Sequence, residues 1–142
     1  MARKEDCIFC KIVAREIPAF VLFESESGLA FLDVNPLSDG HLLLVPRDHY
    51  ERLSEVPPPI AAELAEAIPC LGRALLAATK AEGFNVLLNE GAVAGQVVPH
   101  VHFHLIPRKS GDGLGYRWNA GAYQTGRAEE IAAAYKKAMP DI

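Results

Sequence analysis

The run PHVHFHLIPR, residues 99–108, constrains this chain more than any other stretch. His100, His102 and His104 alternate with Val101, Phe103 and Leu105. Strict period-two alternation is the signature of a β-strand, with imidazoles on one face and apolar side chains on the other. A helix would scatter the three histidines, because residues two apart do not share a helical face. On a strand, neighbouring histidines stand roughly 6–7 Å apart, twice the rise per residue. The chain has five histidines, so most of its imidazoles are concentrated here. Imidazole is the side chain that is neutral, nucleophilic and proton-donating near neutral pH. Such a row suits nucleophilic attack followed by assistance to a leaving group, or chelation of a metal through His-x-His.

The remaining chain supplies a frame for that strand. DCIFCKIVARE reads as a short helix, with Asp6 as N-cap and Ile17-Pro18 as its end. FVLFE and LAFLD are strands about a polar turn at Ser25–Gly28, VNPLSDG is a loop, and HLLLVP is a buried strand. From Pro59 to Glu82, Ile60, Leu64, Ile68, Leu71 and Leu75 form one helical stripe, with Gly83 as a C′ stop and Pro69 as a kink or break. GFNVLLNEG is a fourth strand and GAVAGQ a loop before the histidine strand. KSGDGLGYRWNAGAYQTG is loop, and EEIAAAYKKAM a terminal amphipathic helix. The order α-β-β-β-α-β-β-α predicts an α+β fold with a mainly antiparallel sheet, in one domain over 1–142.

Charge and composition narrow the function classes. Fourteen Lys and Arg face 18 Asp and Glu, which argues against a broad nucleic-acid footprint. No apolar run is long enough to cross a membrane, and no apolar segment follows MARKEDCIFC as a signal peptide would require. With three cysteines, Cys7, Cys10 and Cys70, these features predict a reducing cytoplasm.

Two further motifs carry chemistry. CIFC places two thiols at the spacing of a zinc half-site; a redox pair and uninvolved cysteines are the alternatives. NEGAVAGQ has glycines that let backbone amides converge on an anion, or serves as a plain hairpin connection. Its position directly before the histidine row favours phosphoryl chemistry, where charge on the equatorial oxygens needs donors.

Together these blocks resemble one family. HVHFHLI fits the His-φ-His-φ-His-φ-φ signature of the histidine triad superfamily of nucleotidyl hydrolases and transferases. CIFCKIVAREIPAF, FLDVNPLSDGHLLLVPRDHY and NEGAVAGQVVPHVHFHLIPR are similar to that family's blocks in its order, over roughly residues 6 to 108, leaving 109–142 as a tail. The resemblance implies a five-stranded antiparallel sheet with a long helix packed on it, a homodimer, and hydrolysis at the α-phosphate of a purine nucleotide.

It further implies His102 as nucleophile, His104 near the leaving group and His41 completing the imidazole cluster. Asp33, beside Asn35, would take the ribose hydroxyls, and Ile8, Phe9, Ile12 and Val34 the base. Asn89, Gly95 and Gln96 would lie about the phosphates, with Val97 where many relatives place a hydroxyl. Cys7, Cys10, His49 and His100 would bind a structural zinc that catalysis does not use. The tail GYRWNAGAY departs from the Trp-Pro-Pro-Gly ending of the phosphoramidase branch, which leaves phosphoramidates, acyl-adenylates and dinucleoside polyphosphates all open as substrates. Outside that chemistry stand a nucleotide-binding regulatory module and a zinc hydrolase using the histidine row as ligands.

Overall fold

Cys7 caps the first helix, not Asp6: its Sγ accepts the Cys10 amide at the start of α1 (Ile8–Val13). Sequence favoured Asp6 because carboxylates are the usual caps. Here the cap is a sulfur, and the helix buries Phe9, Cys10 and Ile12. The computed structural model of the chain describes residues 3–115 and 118–140.

Three strands follow as a meander, β1 (Val21–Glu24), β2 (Gly28–Leu32) and β3 (Leu42–Pro46). A long helix, α2 (Pro58–Thr79), then carries the chain across to the edge strand β4 (Gly83–Leu87). β5 (Phe103–Arg108) returns between β3 and β4. The sheet order is β1-β2-β3-β5-β4, and every pairing is antiparallel. A terminal helix, α3 (Arg127–Ala138), completes the expected order of elements.

β3 is buried throughout because both sheet faces are covered. One face packs Leu29, Phe31, Leu43 and Val45 against Phe9 and Ile12 of α1. The other packs Ala30, Leu42, Leu44 and Leu105 against Leu64, Ala67, Leu71 and Leu75 of α2. Alternate residues of β3 therefore serve two cores, and β5 follows the same alternation: His104 pairs with Leu43, and Leu105 with Leu42.

Three details differ from the sequence reading. Pro69 does not split α2, which runs unbroken through it. Its missing N–H would have bonded the Ala65 carbonyl, and both residues lie on the exposed side, where water can take that carbonyl. α2 ends at Lys80, which adopts the left-handed conformation itself (φ 60°), while Gly83 opens β4. Lastly, the β5 ladder begins only at Phe103, so His100 and His102 lie on the stretch leading into it. That lead-in has left the ladder, and its backbone is used instead to orient histidines.

One glycine matters for the α2 interface. A Cβ on Gly72 would lie 2.4 Å from Cζ of Phe84, so only glycine lets the edge strand place that ring under the helix.

Candidate functional site

The α1 face of the sheet gathers all five histidines. His102 sits edge-on to Phe9 at 5.1 Å between centroids, His100 edge-on at 5.8 Å, and the His102 and His104 rings are 4.8 Å apart. His41, just before β3, reaches His104 across the β3–β5 pair. His49, on the segment after β3, meets His100 at 5.0 Å.

Backbone groups decide which nitrogen of each ring carries its proton. His100 Nε2 is 2.9 Å from the Pro46 carbonyl, which can only accept. Nε2 is therefore the N–H, and the Nδ1 lone pair points at Cys7 Sγ, 3.3 Å away, and Cys10 Sγ, 3.7 Å away. His102 Nδ1 donates to the His100 carbonyl at 2.7 Å, which leaves Nε2 as a bare lone pair. His41 Nδ1 accepts the Leu37 amide at 3.0 Å, so its Nε2–H donates to His104 Nδ1, also at 3.0 Å. By the same logic His104 presents its own Nε2–H outward.

Burial keeps this cluster uncharged near neutral pH. It pushes His104 down to about 4, with the neighbouring His102 and His41 adding to the effect. Burial also holds His41 and His102 below the ordinary histidine value, against the pull of Asp33. Asp33 Oδ2 lies 3.6 Å from His41 Nε2, and its Oδ1 accepts the Asn35 amide at 2.9 Å. Asp33, His41 and His104 are close enough to be considered as cation ligands. The tautomers oppose that: His41 Nε2 carries a hydrogen that a cation would have to displace, because the Leu37 amide already occupies Nδ1.

A second group lies behind the first. Cys7, Cys10, His49 and His100 are all buried, with ligand atoms within 4.8 Å of one another. Cys10 Sγ is 3.5 Å from His49 Nδ1. A tetrahedral ion with Zn–S of about 2.3 Å and Zn–N of about 2.0–2.1 Å requires donor separations of about 3.3–3.8 Å. Amides also point at the sulfurs, Lys4 N–H at Cys10 (3.3 Å) and Cys10 N–H at Cys7 (3.4 Å), as thiolates require. Burial pushes the Cys10 thiol up, His49 down and His100 down to about 4. A divalent cation would supply the charge that these buried donors lack, so the set fits a closed metal site.

The loop before the histidines is held from outside. Both oxygens of Glu90 accept from Ser54, from its amide and its hydroxyl, each at 2.9 Å. Gln96 commits its side chain to the backbone: Nε2 donates to the Glu51 and Val98 carbonyls, and Oε1 accepts the Gly91 amide. The amides of Ala94, Gly95 and Gln96 bond carbonyls of the same loop, and Asn89 Nδ2 donates to the Gly95 carbonyl. Gly91 and Gly95, with φ of 89° and 101°, supply the left-handed turns that this loop needs. Val97 is exposed. Of the residues expected to hold a base, Phe9 and Ile12 are buried in the α1-side core, while Ile8 and Val34 are open to solvent.

Sequence reasoning missed the Leu37 amide and the carbonyls of Pro46 and His100, because main-chain partners leave no mark on residue type. The Ser54–Glu90 clamp was also missed, since neither residue falls in a recognisable motif.

Comparison with known proteins identifies the family of the chain. Residues 14–111 match the HIT domain family. The chain is 41% identical over 147 residues to an adenosine 5′-monophosphoramidase of Candida albicans, covering 100% of this chain and 97% of that one. It is 46% identical over 111 residues to an adenylylsulfatase of Arabidopsis thaliana; the match covers 78% of this chain but spans 56% of the plant protein. Among solved structures, a HIT family member from Bacillus subtilis superposes with a TM-score of 0.91 at 37% identity, over 97% of this chain and 100% of that one. A zinc-bound histidine triad protein from Mycobacterium smegmatis gives 0.73 at 34% identity, over 93% and 96%.

Proposed function

Because this chain belongs to the HIT domain family, we propose that it is a nucleotide hydrolase acting at the α-phosphate of a purine nucleotide through a nucleotidyl-histidine intermediate. The observation that carries this reading is the tautomer of His102, whose Nδ1–H is tied to the His100 carbonyl so that Nε2 is a free lone pair. His102 Nε2 attacks the α-phosphorus, a P–N bond forms, and the bond to the leaving group breaks with its electron pair on the departing atom. Water then attacks the same phosphorus, the imidazole departs, and the nucleoside monophosphate is released.

His104 directs its Nε2–H at the leaving atom, held in that tautomer by His41 and, through it, by the Leu37 amide. A neutral His104 is a hydrogen-bond donor but a poor acid. It therefore suits a leaving group that needs no proton, such as the carboxylate of an acyl-adenylate, or an amine that departs from an N-protonated phosphoramidate. Two relatives are named for a phosphoramidase and an adenylylsulfatase activity, which supports hydrolysis of an adenylyl compound. Dinucleoside polyphosphates are the alternative within the same chemistry. Asp33 is placed to accept ribose hydroxyls, with Asn35 bracing its carboxylate. Phe9 floors the site beside His102. Asn89, Gly95, Gln96 and Val97 shape the phosphate side, Gln96 by bracing the loop backbone, while Ile8 and Val34 offer apolar surface to the base.

Cys7, Cys10, His49 and His100 would hold a structural zinc. When bound, the ion supplies a cross-link between α1, the segment after β3 and the lead-in to β5, and leaves His102 free for chemistry. The working unit is a homodimer.

Hydrolysis of an adenosine phosphoramidate by wild type and by His102→Ala tests the reading. Expected is turnover by the wild type, with a covalent adenylyl adduct on a quenched sample, and loss of both in the variant with its fold intact. Equal activity in the two proteins would refute the nucleophile assignment.

A further inference from the structure

The segment after β3 holds the histidine lead-in and the loop before it at several points. His49 lies beside Cys10 and His100 in the buried metal group. The Tyr50 carbonyl accepts the Val101 amide at 2.8 Å, between His100 and His102. The Glu51 carbonyl accepts Gln96 Nε2 at 2.8 Å, and Ser54 gives its amide and its hydroxyl to Glu90. Tyr50, Val56 and Val101 form a small buried cluster, with Leu53 and Leu88 packed on it. Burial of His49, Tyr50 and Val56 makes this segment a stiff rail.

The loop it holds has no such seat. Residues 92–95 and Val97 are exposed, Val93 fully so, and none of the short turn Ala92–Ala94 is buried. With no apolar side chain sunk into a core, polar bonds fix where the loop stands. Its entry at Glu90 and its exit at Gln96 both bond to residues 51–54 of the rail, and Gln96 Oε1 ties exit to entry through the Gly91 amide. Only Val97, Val98 and Pro99 then separate it from His100. An acid is an odd choice at such a place, because its charge would repel an anionic substrate. Both oxygens of Glu90 are instead turned to Ser54, and those bonds hold its carboxyl below the ordinary carboxylate range.

We propose that Ser54 and Glu90 are positioning residues for the α-phosphate, acting through the loop at 91–97 that their clamp fixes in place. The inference rests on the α-phosphate reading above and adds the pair that sets the height of the phosphate loop. The clamp ties that loop to the same rail that holds Val101, so the phosphate side and the nucleophile share one reference. Released at Glu90, the loop would keep its internal turn but shift relative to His102. Misplacement by about 1 Å costs up to about 10²-fold in rate. Glu90→Gln keeps the clamp without the charge: its oxygen accepts the Ser54 amide and its NH₂ donates to the Ser54 hydroxyl oxygen. Glu90→Ala removes both bonds, so the difference between the two variants isolates position from charge.

The test uses the full-length, zinc-loaded chain as wild type, Glu90→Ala, Glu90→Gln, Ser54→Ala and the Ser54→Ala/Glu90→Ala double variant. Calorimetry reads the affinity for AMP and for adenosine, and steady-state kinetics on an adenosine phosphoramidate reads kcat and KM. Expected for Glu90→Ala is a loss of about tenfold or more in AMP affinity and in kcat, with adenosine affinity unchanged. Glu90→Gln should stay within about twofold of wild type, Ser54→Ala should lose less than Glu90→Ala, and the double variant should be no worse than Glu90→Ala. Equal losses in Glu90→Ala and Glu90→Gln would overturn the proposal, since charge and not position would then matter. So would a Glu90→Ala protein that melts earlier but binds AMP and turns over normally, or one that loses AMP and adenosine alike. A wild type that neither prefers AMP over adenosine nor hydrolyses the phosphoramidate would instead remove the α-phosphate reading, and this inference with it.

Discussion

Replacing His41 by Phe tests the idea that backbone-set tautomers organise the site. The ring is nearly isosteric and the position is 2% exposed, so packing changes little. Two hydrogen bonds are lost, however: the Leu37 amide loses its acceptor, and His104 Nδ1 loses its donor, both at 3.0 Å in the native chain. Each buried polar group left unpaired costs about 1–3 kcal/mol, which gives a stability loss of about 2–4 kcal/mol once partial solvation of Leu37 is allowed for. The chemical consequence is separate. Without His41, His104 is free to put its proton on either nitrogen and no longer presents an oriented Nε2–H to the leaving group. Loss of one preorganised donor typically costs about 10²–10³ in kcat, or roughly 3–4 kcal/mol at about 1.4 kcal/mol per decade. Urea unfolding reads the first quantity, and steady-state kinetics on a phosphoramidate reads the second, with KM expected to move little. If His41→Phe retained kcat within about twofold while losing stability as expected, the orienting role would be wrong and His41 would be a packing residue only.

Other perturbations separate the remaining parts of the argument. Cys7→Ser or prolonged chelation removes a cross-link between α1 and the β5 lead-in; thermal unfolding should shift down by many degrees, and a chelated protein that keeps its melting temperature would dismiss the structural-metal reading. Stability should also fall as pH drops below the ordinary histidine value of about 6.5. There the unfolded chain takes up protons that folded His104, held down to about 4, refuses. His104→Phe should lessen that slope by up to about 1.4 kcal/mol per pH unit between those values, and an unchanged slope in urea titrations would contradict it. Gly72→Ala normally gains about 1 kcal/mol in a helix, but here the new Cβ meets Phe84 at 2.4 Å. Overpacking of about 1–3 kcal/mol should outweigh the gain, so denaturant midpoints should fall; a stabilised variant would show that the Phe84 ring moves freely.

Much of this molecule was written in local pattern. The alternation in PHVHFHLIPR, the helical stripe from Ile60 to Leu75 and the turn residues between strands gave the order of elements, because period and punctuation depend on neighbours in sequence. The chemical types at the site were legible for the same reason: CIFC and the histidine row announce soft ligands and imidazoles wherever the chain places them. Smaller local features misled. Asp6 looked like a cap and Gly83 like a stop, but Cys7 and Lys80 took those positions, since burial of the sulfur and the entry into β4 outweighed residue preference.

What the tertiary structure alone decided was how five similar rings divide their work. His100 turns Nδ1 to the thiols because Pro46, 54 residues away in sequence, offers a carbonyl to Nε2. His102 is left with a free Nε2 because the β5 ladder has not yet begun and the His100 carbonyl is available to it. His104 takes its tautomer from His41, 63 residues away. A histidine's identity is local, but the proton on its ring is placed by whatever acceptor folding brings to it, and sequence spacing does not encode that. The Ser54–Glu90 clamp follows the same rule, since its two residues stand 36 apart in sequence and meet only once the chain has packed.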